Sequence, residues 1–295
     1  MRSYRSGLLK QRAMEARHLL RSCCLCPRKC YIDRAGHQKA GICKTLDKAW
    51  VSSFHPHFGE EAPLVGMHGS GTIFFTHCNL LCNFCQNYDI SHQGVGQEVT
   101  DAQLASMMLS LQNEGCHNIN FVTPSHVVPQ ILSAVEMACA HGLTIPLVYN
   151  SGGYDTVERL HLLDDVFDIY MPDFKFWDSD IAEIACNAPD YSEVARKAIR
   201  EMYCQVGDLV LDEKGIALRG LLVRHLVLPE GQAGTREIMR FIFQKISTDT
   251  YVNIMSQYRP CGSLSGIKPL QRSVSRSEFM DALSAAKTEG ITRLD

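Results

Sequence analysis

Six short apolar segments alternate with helical patterns from residue 70 onward, and this alternation restricts the possible folds more than any other feature. Strands that are separated by helices pair in parallel through right-handed crossovers. The sequence therefore predicts an α/β fold, a six-unit (β/α)6 sheet that forms an open, partial barrel. The predicted strands are GTIFFTH (71–77), NINFVTP (118–124), IPLVYN (145–150), FDIYMPDF (167–174), LLVRHLVLP (221–229) and YVNIMSQY (251–258).

The chain divides into two parts by composition. Residues 1–69 hold a predicted helix (7–21), a cysteine-rich segment and a short strand with an irregular loop, and residues 70–295 hold the partial barrel. Thr100 and Ser275 are the expected N-caps of two helices. Further predicted helices occupy 100–114, 127–141, 156–164, 178–186, 191–205, 234–246 and 275–288, with a hairpin inserted at 209–220.

Composition and charge narrow the class of protein. No window holds eighteen uncharged apolar residues and no secretory signal is recognisable, so we expect no membrane partner and a cytoplasmic location. Residues 1–50 carry twelve Lys/Arg and three Asp/Glu. A basic arm of this kind suits nucleic acid, but no aromatic residues interleave with the charges, so nucleic acid is not expected as the partner.

Thirteen cysteines point to metal chemistry rather than to disulfides in a chain of this length. Three of them follow the first predicted strand with the spacing C-x3-C-x2-C, namely Cys78, Cys82 and Cys85. Three thiolates can hold three irons of a 4Fe-4S cluster and leave the fourth iron open to a ligand. A zinc site that adds His77 is the alternative. Five scattered cysteines are expected to be reduced and mostly buried.

Four cysteines of the N-terminal segment supply a second, closed set of ligands: Cys23, Cys26, Cys30 and Cys43. Zinc and an auxiliary iron-sulfur cluster both fit four thiolates, so the metal stays open. The loop HPHFGEE (55–61) offers His55, His57, Glu60 and Glu61 either to a substrate or second metal, or to the ordering of the barrel mouth.

The three-cysteine motif, with Phe84 just before its last cysteine, resembles the signature of the radical S-adenosylmethionine (SAM) superfamily. Further segments are similar to proteins related to pyruvate formate-lyase activating enzyme, the PflX-like group. These segments are CCLCPRKCYIDR, HFGEEAPLVGMHGSGTIFF, CNLLCNFCQNYDIS, VYNSGGYD, MPDFKFWD and VRHLVLPEG. The resemblance implies a barrel of radical SAM type, a 4Fe-4S cluster and SAM as cofactors, and reductive cleavage of SAM to a 5′-deoxyadenosyl radical.

The resemblance also implies roles for residues beyond the strand ends. Asp173 and Lys175 are the candidate catalytic pair, since side chains two apart on an extended segment point the same way. The candidate cofactor contacts are Phe84, Ser125, Asn150, Ser151, Gly152 and Arg224. Thr123 and His126 are alternatives to Ser125.

The implied partners are a one-electron donor, such as flavodoxin or ferredoxin, and an unidentified substrate that donates a hydrogen atom. That substrate is either a small molecule or a protein, such as a glycyl radical enzyme. The rival hypothesis is a zinc-stabilised module that binds nucleic acid or protein without catalysis.

Overall fold

Nine strands of the described residues form one sheet, whose centre is parallel. The computed structural model describes residues 2–36, 40–262 and 268–295. The strands, β1 to β9, are Ala49–His57, Ser70–Phe75, Gln97–Val99, Ile119–Val122, Leu147–Ser151, Ile169–Pro172, Val210–Leu211, Ala217–Leu226 and Tyr251–Met255. The α-helices, α1 to α10, are Arg2–Arg5, Leu8–His18, Ala62–Val65, Asp101–Asn113, Val128–Ala140, Val157–Leu160, Ser179–Cys186, Tyr191–Val206, Thr235–Lys245 and Arg276–Thr288.

The six predicted strands are confirmed, and they pair in parallel in the order β2-β4-β5-β6-β8-β9. Every residue of β5 and β6 is buried, as expected for strands that are covered on both faces. Within the described residues β9 has no pairing with β1, so the barrel stays open, as predicted. All six strands present their carboxyl ends at the same edge of the sheet, where a ligand site is expected.

Strands outside the β/α alternation complete the two sides of the sheet. β1 runs antiparallel to β2, and β3 runs antiparallel to β1. The sequence predicted only a short strand and a loop for 49–69, whereas β1 has nine residues. Its length follows from pairing with β2 and β3, which the local sequence pattern does not mark. The predicted hairpin is confirmed as β7 paired with the start of β8, which then continues without a break.

The N-terminal part of the chain packs onto the barrel. Helix α2 lies against α5, and its face of Leu9, Ala13 and Ala16 is buried in the main core. Small side chains on this face let the two helices approach closely. The predicted boundary at residue 69 stays a prediction, and β1 on its N-terminal side belongs to the same sheet as β2.

Local sequence signals mark where two helices begin. Thr100 and Ser275 both form capping boxes, with Gln103 and Glu278 as the reciprocal partners. Both caps were predicted. None of the described helices combines the length and hydrophobicity that crossing a membrane requires.

One buried histidine of β8 connects the segment after β6 with the start of α9. His225 of β8 has Nδ1 2.8 Å from the carbonyl oxygen of Phe174 and Nε2 2.9 Å from Oγ1 of Thr235 at the start of α9. Burial is the main cause that lowers the pKa of His225, to about 4, although the Phe174 carbonyl opposes the shift. The histidine is therefore neutral in the folded protein at neutral pH.

This histidine predicts a loss of stability in mild acid. An unfolded histidine binds a proton near pH 6.5. Below that pH the unfolded chain binds a proton that the folded chain binds only near pH 4, so the free energy of unfolding falls across this window. The full effect is roughly 3 kcal/mol. Urea titrations at pH 7 and about 4.5 should show a smaller loss for His225→Gln than for the wild type. The exposed His141→Gln control should behave like the wild type, and an equal loss in His225→Gln contradicts the assignment.

Candidate active site

The loop after β2 carries three thiols to the carboxyl edge of the sheet, those of Cys78, Cys82 and Cys85. Two non-glycine residues of the loop have left-handed backbones, His77 with φ 72° and Leu81 with φ 56°. The backbone N–H of Leu80 donates to Sγ of Cys78 at 3.3 Å. The loop is thus folded back on itself in a conformation that its own residues do not favour.

The surroundings of the thiols suit metal ligands better than free nucleophiles. Burial raises the pKa of Cys78 to about 12, and the charge of Cys82 adds to the rise. The pKa of Cys82 is raised first by its contact with the thiol of Cys186 and then by burial. Burial also raises the pKa of Cys85. Such thiols lose their protons when a cation takes the place of the proton.

The thiols share one cavity of ≈ 390 Å³ with polar groups from the strand ends. Besides the three cysteines and the alternative contact Thr123, its lining includes seven of the predicted catalytic and cofactor-binding residues: Phe84, Asn150, Ser151, Gly152, Asp173, Lys175 and Arg224. The carboxyl ends of β5, β6 and β8 therefore converge beside the cysteine loop. The chemical role of each residue stays a prediction.

A glycine turn after β5 brings the backbone close to the loop. Gly153 has φ +74°, and a Cβ there would lie 2.2 Å from the carbonyl oxygen of Asp173, so only glycine fits. At Gly152 a Cβ would lie 3.3 Å from Cδ2 of Leu80 in the cysteine loop. The turn thus packs closely where the loop and the end of β6 meet.

A buried carboxylate organises the charges of the cavity. Asp173 Oδ2 lies 2.5 Å from Nζ of Lys175, and Oδ1 lies 2.9 Å from Nε of Arg224. Burial alone raises the pKa of a carboxyl group, but the two cations bring the pKa of Asp173 below its ordinary value. The pKa values of Lys175 and Arg224 are raised by the Asp173 charge against the opposing effect of burial. All three groups are ionised at neutral pH.

Arg224 has intramolecular acceptors for its guanidinium. Nη2 donates to Oδ1 of Asn150 at 2.7 Å, and Nη1 lies 3.5 Å from Oε2 of Glu60. With Asp173 on Nε, the arginine ties the ends of β5 and β6 to β8. Arg224 lines the cavity, but its guanidinium N–H groups are already paired with Asp173, Asn150 and Glu60.

Ser125 differs from the other predicted cofactor contacts. It is buried, and its hydroxyl contacts Asp155 rather than the cavity lining. Asp155 also accepts a hydrogen bond from Ser151 Oγ at 2.7 Å. Ser125 thus lies behind the cavity wall and reaches the cavity through Asp155 and Ser151.

Sequence reasoning did not single out Glu60 among the residues of its loop. Its carboxylate lies in the cavity near Arg224, and burial raises its pKa despite that guanidinium. Glu61 accepts from Nδ2 of Asn253 in β9 at 2.9 Å, so the loop spans the gap between β1 and β9. His55 and His57 instead pack on the ring of Phe74. This geometry favours the ordering of the barrel over a second metal.

The four predicted N-terminal ligands line a separate cavity of ≈ 10 Å³, namely Cys23, Cys26, Cys30 and Cys43. Burial raises the pKa of Cys26 to about 12, and the charges of the other three thiolates contribute. The buried guanidinium of Arg34 donates to Sγ of Cys23 at 3.6 Å and to the carbonyl oxygen of His126 at 3.0 Å. Cys24 lies apart, 3.5 Å from Nη2 of Arg159.

Within the described residues, no three His, Cys, Asp or Glu side chains are grouped so that they could hold one metal ion. This holds both for the loop, where the zinc alternative combines His77 with the three cysteines, and for the four N-terminal cysteines. A 4Fe-4S cluster has a different requirement, because each thiolate binds its own iron and the thiols need not meet at one point. At the N-terminal cysteines, binding of a single ion requires the thiols to move closer together.

Residues 72–206, from within β2 to the end of α8, match the radical SAM superfamily. Enzymes of this superfamily use SAM and a 4Fe-4S cluster, and they generally need an external electron donor. This match supports the predicted superfamily over that stretch of the chain, whereas the narrower PflX-like group stays a prediction.

Two similar proteins extend over more of the chain. The uncharacterized protein MJ0674 of Methanocaldococcus jannaschii is 29% identical over 288 residues, which are 95% of this chain and 79% of that protein. A solved structure, native anSMEcpe with bound AdoMet, superposes with a TM-score of 0.48 and 14% identity. The match covers 72% of this chain and 57% of that one.

The Asp173 network predicts a large cost for neutralising its carboxylate. Asp173→Asn keeps the shape but leaves Lys175 buried without its counter-charge and Arg224 with only the more distant Glu60, so the free energy of unfolding should fall by about 3–5 kcal/mol. Chemical denaturation measures this change. As a matched control, Glu193→Gln breaks the exposed pair with Lys197 and should have little effect. A loss in Asp173→Asn no greater than in the control contradicts the charge assignment.

Proposed function

We propose that this protein is a radical SAM enzyme in which Cys78, Cys82 and Cys85 each bind one iron of a 4Fe-4S cluster. The observation that carries the proposal is the shared cavity, in which three thiols and the polar strand ends line the same ≈ 390 Å³ space. When bound, the reduced cluster supplies the electron that cleaves SAM to methionine and a 5′-deoxyadenosyl radical, which takes hydrogen from a substrate.

The donor set fits this cofactor pair. Soft thiolates suit iron, and Cys78, Cys82 and Cys85 would hold three irons of the cluster and leave the fourth open to SAM. Lys175 keeps its proton on Nζ and contributes a positive charge near Cys82, which favours the thiolate. Phe84 packs edge-on against Phe176 and Tyr258 and keeps water away from the loop.

We assign the SAM-binding role to the strand ends beside the loop. Asn150, Ser151 and Gly152 offer an amide, a hydroxyl and close backbone, which suit the ribose and amino groups of SAM. Arg224 fixes Asn150 and Asp173 in place, and the Asp173–Lys175 pair lies on the cavity wall, where it can contact SAM or substrate. Ser125 supports Ser151 through Asp155.

The proposed partners are a one-electron donor, such as flavodoxin or ferredoxin, and a substrate that gives up a hydrogen atom. A backbone glycine of a glycyl radical enzyme is one candidate, in keeping with the similarity to activating enzymes noted above. A small molecule is the other. The noncatalytic zinc module has no comparable support, because it leaves the convergence of Asp173, Lys175 and Arg224 on the thiols unexplained.

Loss of one loop thiol should abolish SAM cleavage. Cys82→Ala leaves two ligands for the cluster, so anaerobic reconstitution and dithionite reduction should yield no 5′-deoxyadenosine above background. Liquid chromatography of the reaction measures that product. The exposed Cys204→Ala is the matched control and should retain wild-type cleavage. SAM cleavage that persists in the Cys82→Ala variant contradicts the cluster assignment.

We also propose a second metal centre at the four N-terminal cysteines. Their cavity of ≈ 10 Å³ has room for a particle about the size of one ion, which favours zinc over a four-iron cluster. The buried Arg34 offsets part of the negative charge of the thiolates.

Metal analysis separates the two centres. We expect about one zinc per chain in addition to iron, zinc that persists in Cys82→Ala, and zinc that is lost in Cys26→Ser. Elemental analysis by plasma mass spectrometry measures both metals. Zinc absent from the wild type, or unaffected by Cys26→Ser, refutes this centre.

A further inference from the structure

Arg28 lies inside the N-terminal cysteine motif, between Cys26 and Cys30, but its side chain leaves that motif and reaches the cysteine loop of the barrel. We propose that Arg28 is the positioning residue of this loop and holds its backbone in the conformation that binds the cluster. This inference rests on the proposed function, because it concerns the loop that binds the cofactor.

The guanidinium of Arg28 donates to two loop carbonyls. Nε donates to the carbonyl oxygen of Asn79 at 3.0 Å, and Nη2 donates to that of Leu80 at 3.1 Å. Both carbonyls lie between Cys78 and Cys82, in the stretch that sets the distance between these two thiols. An arginine offers five N–H donors in a rigid fork, so it can fix consecutive carbonyls that no strand or helix pairs.

The same guanidinium also caps the C-terminus of helix α7. Nη2 donates to the carbonyl oxygen of Cys186 at 2.7 Å, and Nη1 donates to that of Asn187. Carbonyls at a helix C-terminus lack partners within the helix and favour a cation. Helix α7 contacts the loop directly as well, because Asn83 N donates to the carbonyl oxygen of Ala185 at 2.8 Å. Arg28 therefore joins the loop to the helix that supports it.

Tyr154 completes the contacts around Arg28. The guanidinium carbon lies 5.3 Å from the centre of the Tyr154 ring, and Nδ2 of Asn79 donates to the Tyr154 carbonyl oxygen at 2.8 Å. The hydroxyl of Tyr154 donates to Asp190 at 2.7 Å. A cation over an aromatic face is attracted to it. Arg28 is thereby held by the cysteine loop, by the end of helix α7 and by the Tyr154 ring.

The loop needs such external support. Leu81, directly after the two carbonyls, has φ 56°, a left-handed backbone that costs a non-glycine residue energy. Conformations of this kind persist only where the surroundings determine them. Arg28 itself is presented by a tight hairpin, in which Lys29 N donates to the Cys26 carbonyl oxygen at 3.1 Å and Tyr31 N to that of Cys23 at 2.9 Å. Through Arg28, the N-terminal segment thus supplies the external support that the cysteine loop needs.

The test compares Arg28→Gln and Arg28→Lys with Arg159→Gln. Arg159 is the matched control because it contacts the N-terminal segment at the Cys24 carbonyl oxygen and no partner in the loop is found for it within the described residues. The first measurement is amide hydrogen exchange of peptides that cover residues 78–85 in metal-free protein. Exchange in Arg28→Gln should be roughly tenfold faster than in the wild type. Arg28→Lys should be intermediate, because an ammonium reaches fewer carbonyls, and Arg159→Gln should match the wild type.

The second measurement uses the reconstituted protein. Iron bound at the loop should fall in Arg28→Gln, and SAM cleavage should fall roughly tenfold or more. The change that SAM causes in the electron paramagnetic resonance spectrum of the reduced cluster should weaken as well. A variant that merely destabilises the fold lowers the unfolding temperature without changing exchange at 78–85 selectively or altering this spectral response.

The outcomes separate the two proposals. Wild-type exchange, iron and cleavage in Arg28→Gln overturn the role of Arg28 while the proposed function stands. A wild type that binds no cluster overturns the proposed function, and the exchange contrast still decides whether Arg28 positions the loop. If Arg28→Gln does not fold, Arg28→Lys decides, because wild-type exchange in that variant overturns the inference.

Discussion

The carboxylate of Asp173 fixes the charges at the carboxyl edge of the sheet, and the shape of the cavity follows from it. Asp173 binds Lys175 on its own segment and Arg224 on β8, and Arg224 in turn holds Asn150 at the end of β5. Two buried cations need a buried anion, because an unpaired charge in such surroundings is costly. The network therefore keeps three strand ends in register around one space and leaves the cationic Lys175 beside the thiols.

The parallel part of the sheet was predictable because its central strands, β5 and β6, are buried on both faces and its six strands lie between helices. Such strands read as short apolar runs, and the pattern of β2, β4 to β6, β8 and β9 needs no knowledge of distant contacts. The antiparallel strands β1 and β3 escaped full prediction for the opposite reason. Their length depends on pairing with residues far along the chain, and no local signal marks it.

The sequence predicted which residues lie together in the site. It did not predict the individual contacts that their side chains make. The rule that ligands bind beyond the carboxyl ends of parallel strands brought Asn150, Asp173 and Arg224 beside the cysteines. It did not show that Arg224 is occupied by Glu60, because that carboxylate comes from a loop across the gap of the sheet. Nor did it show that Ser125 faces Asp155, since side-chain direction after a strand depends on the local turn.

The cysteine loop shows why a site can depend on residues outside the domain that carries it. Three ligands on one short loop constrain a cluster only if the loop holds a fixed shape, and this loop includes a left-handed Leu81 that disfavours its own shape. The carbonyls that Arg28 binds lie 51 to 159 residues away in the chain. Such contacts form only after the N-terminal hairpin has docked on the barrel. The shape of the loop is therefore coupled to the docking of the hairpin, and a chain without the hairpin retains the three ligands but lacks the hydrogen bonds from Arg28 to Asn79 and Leu80.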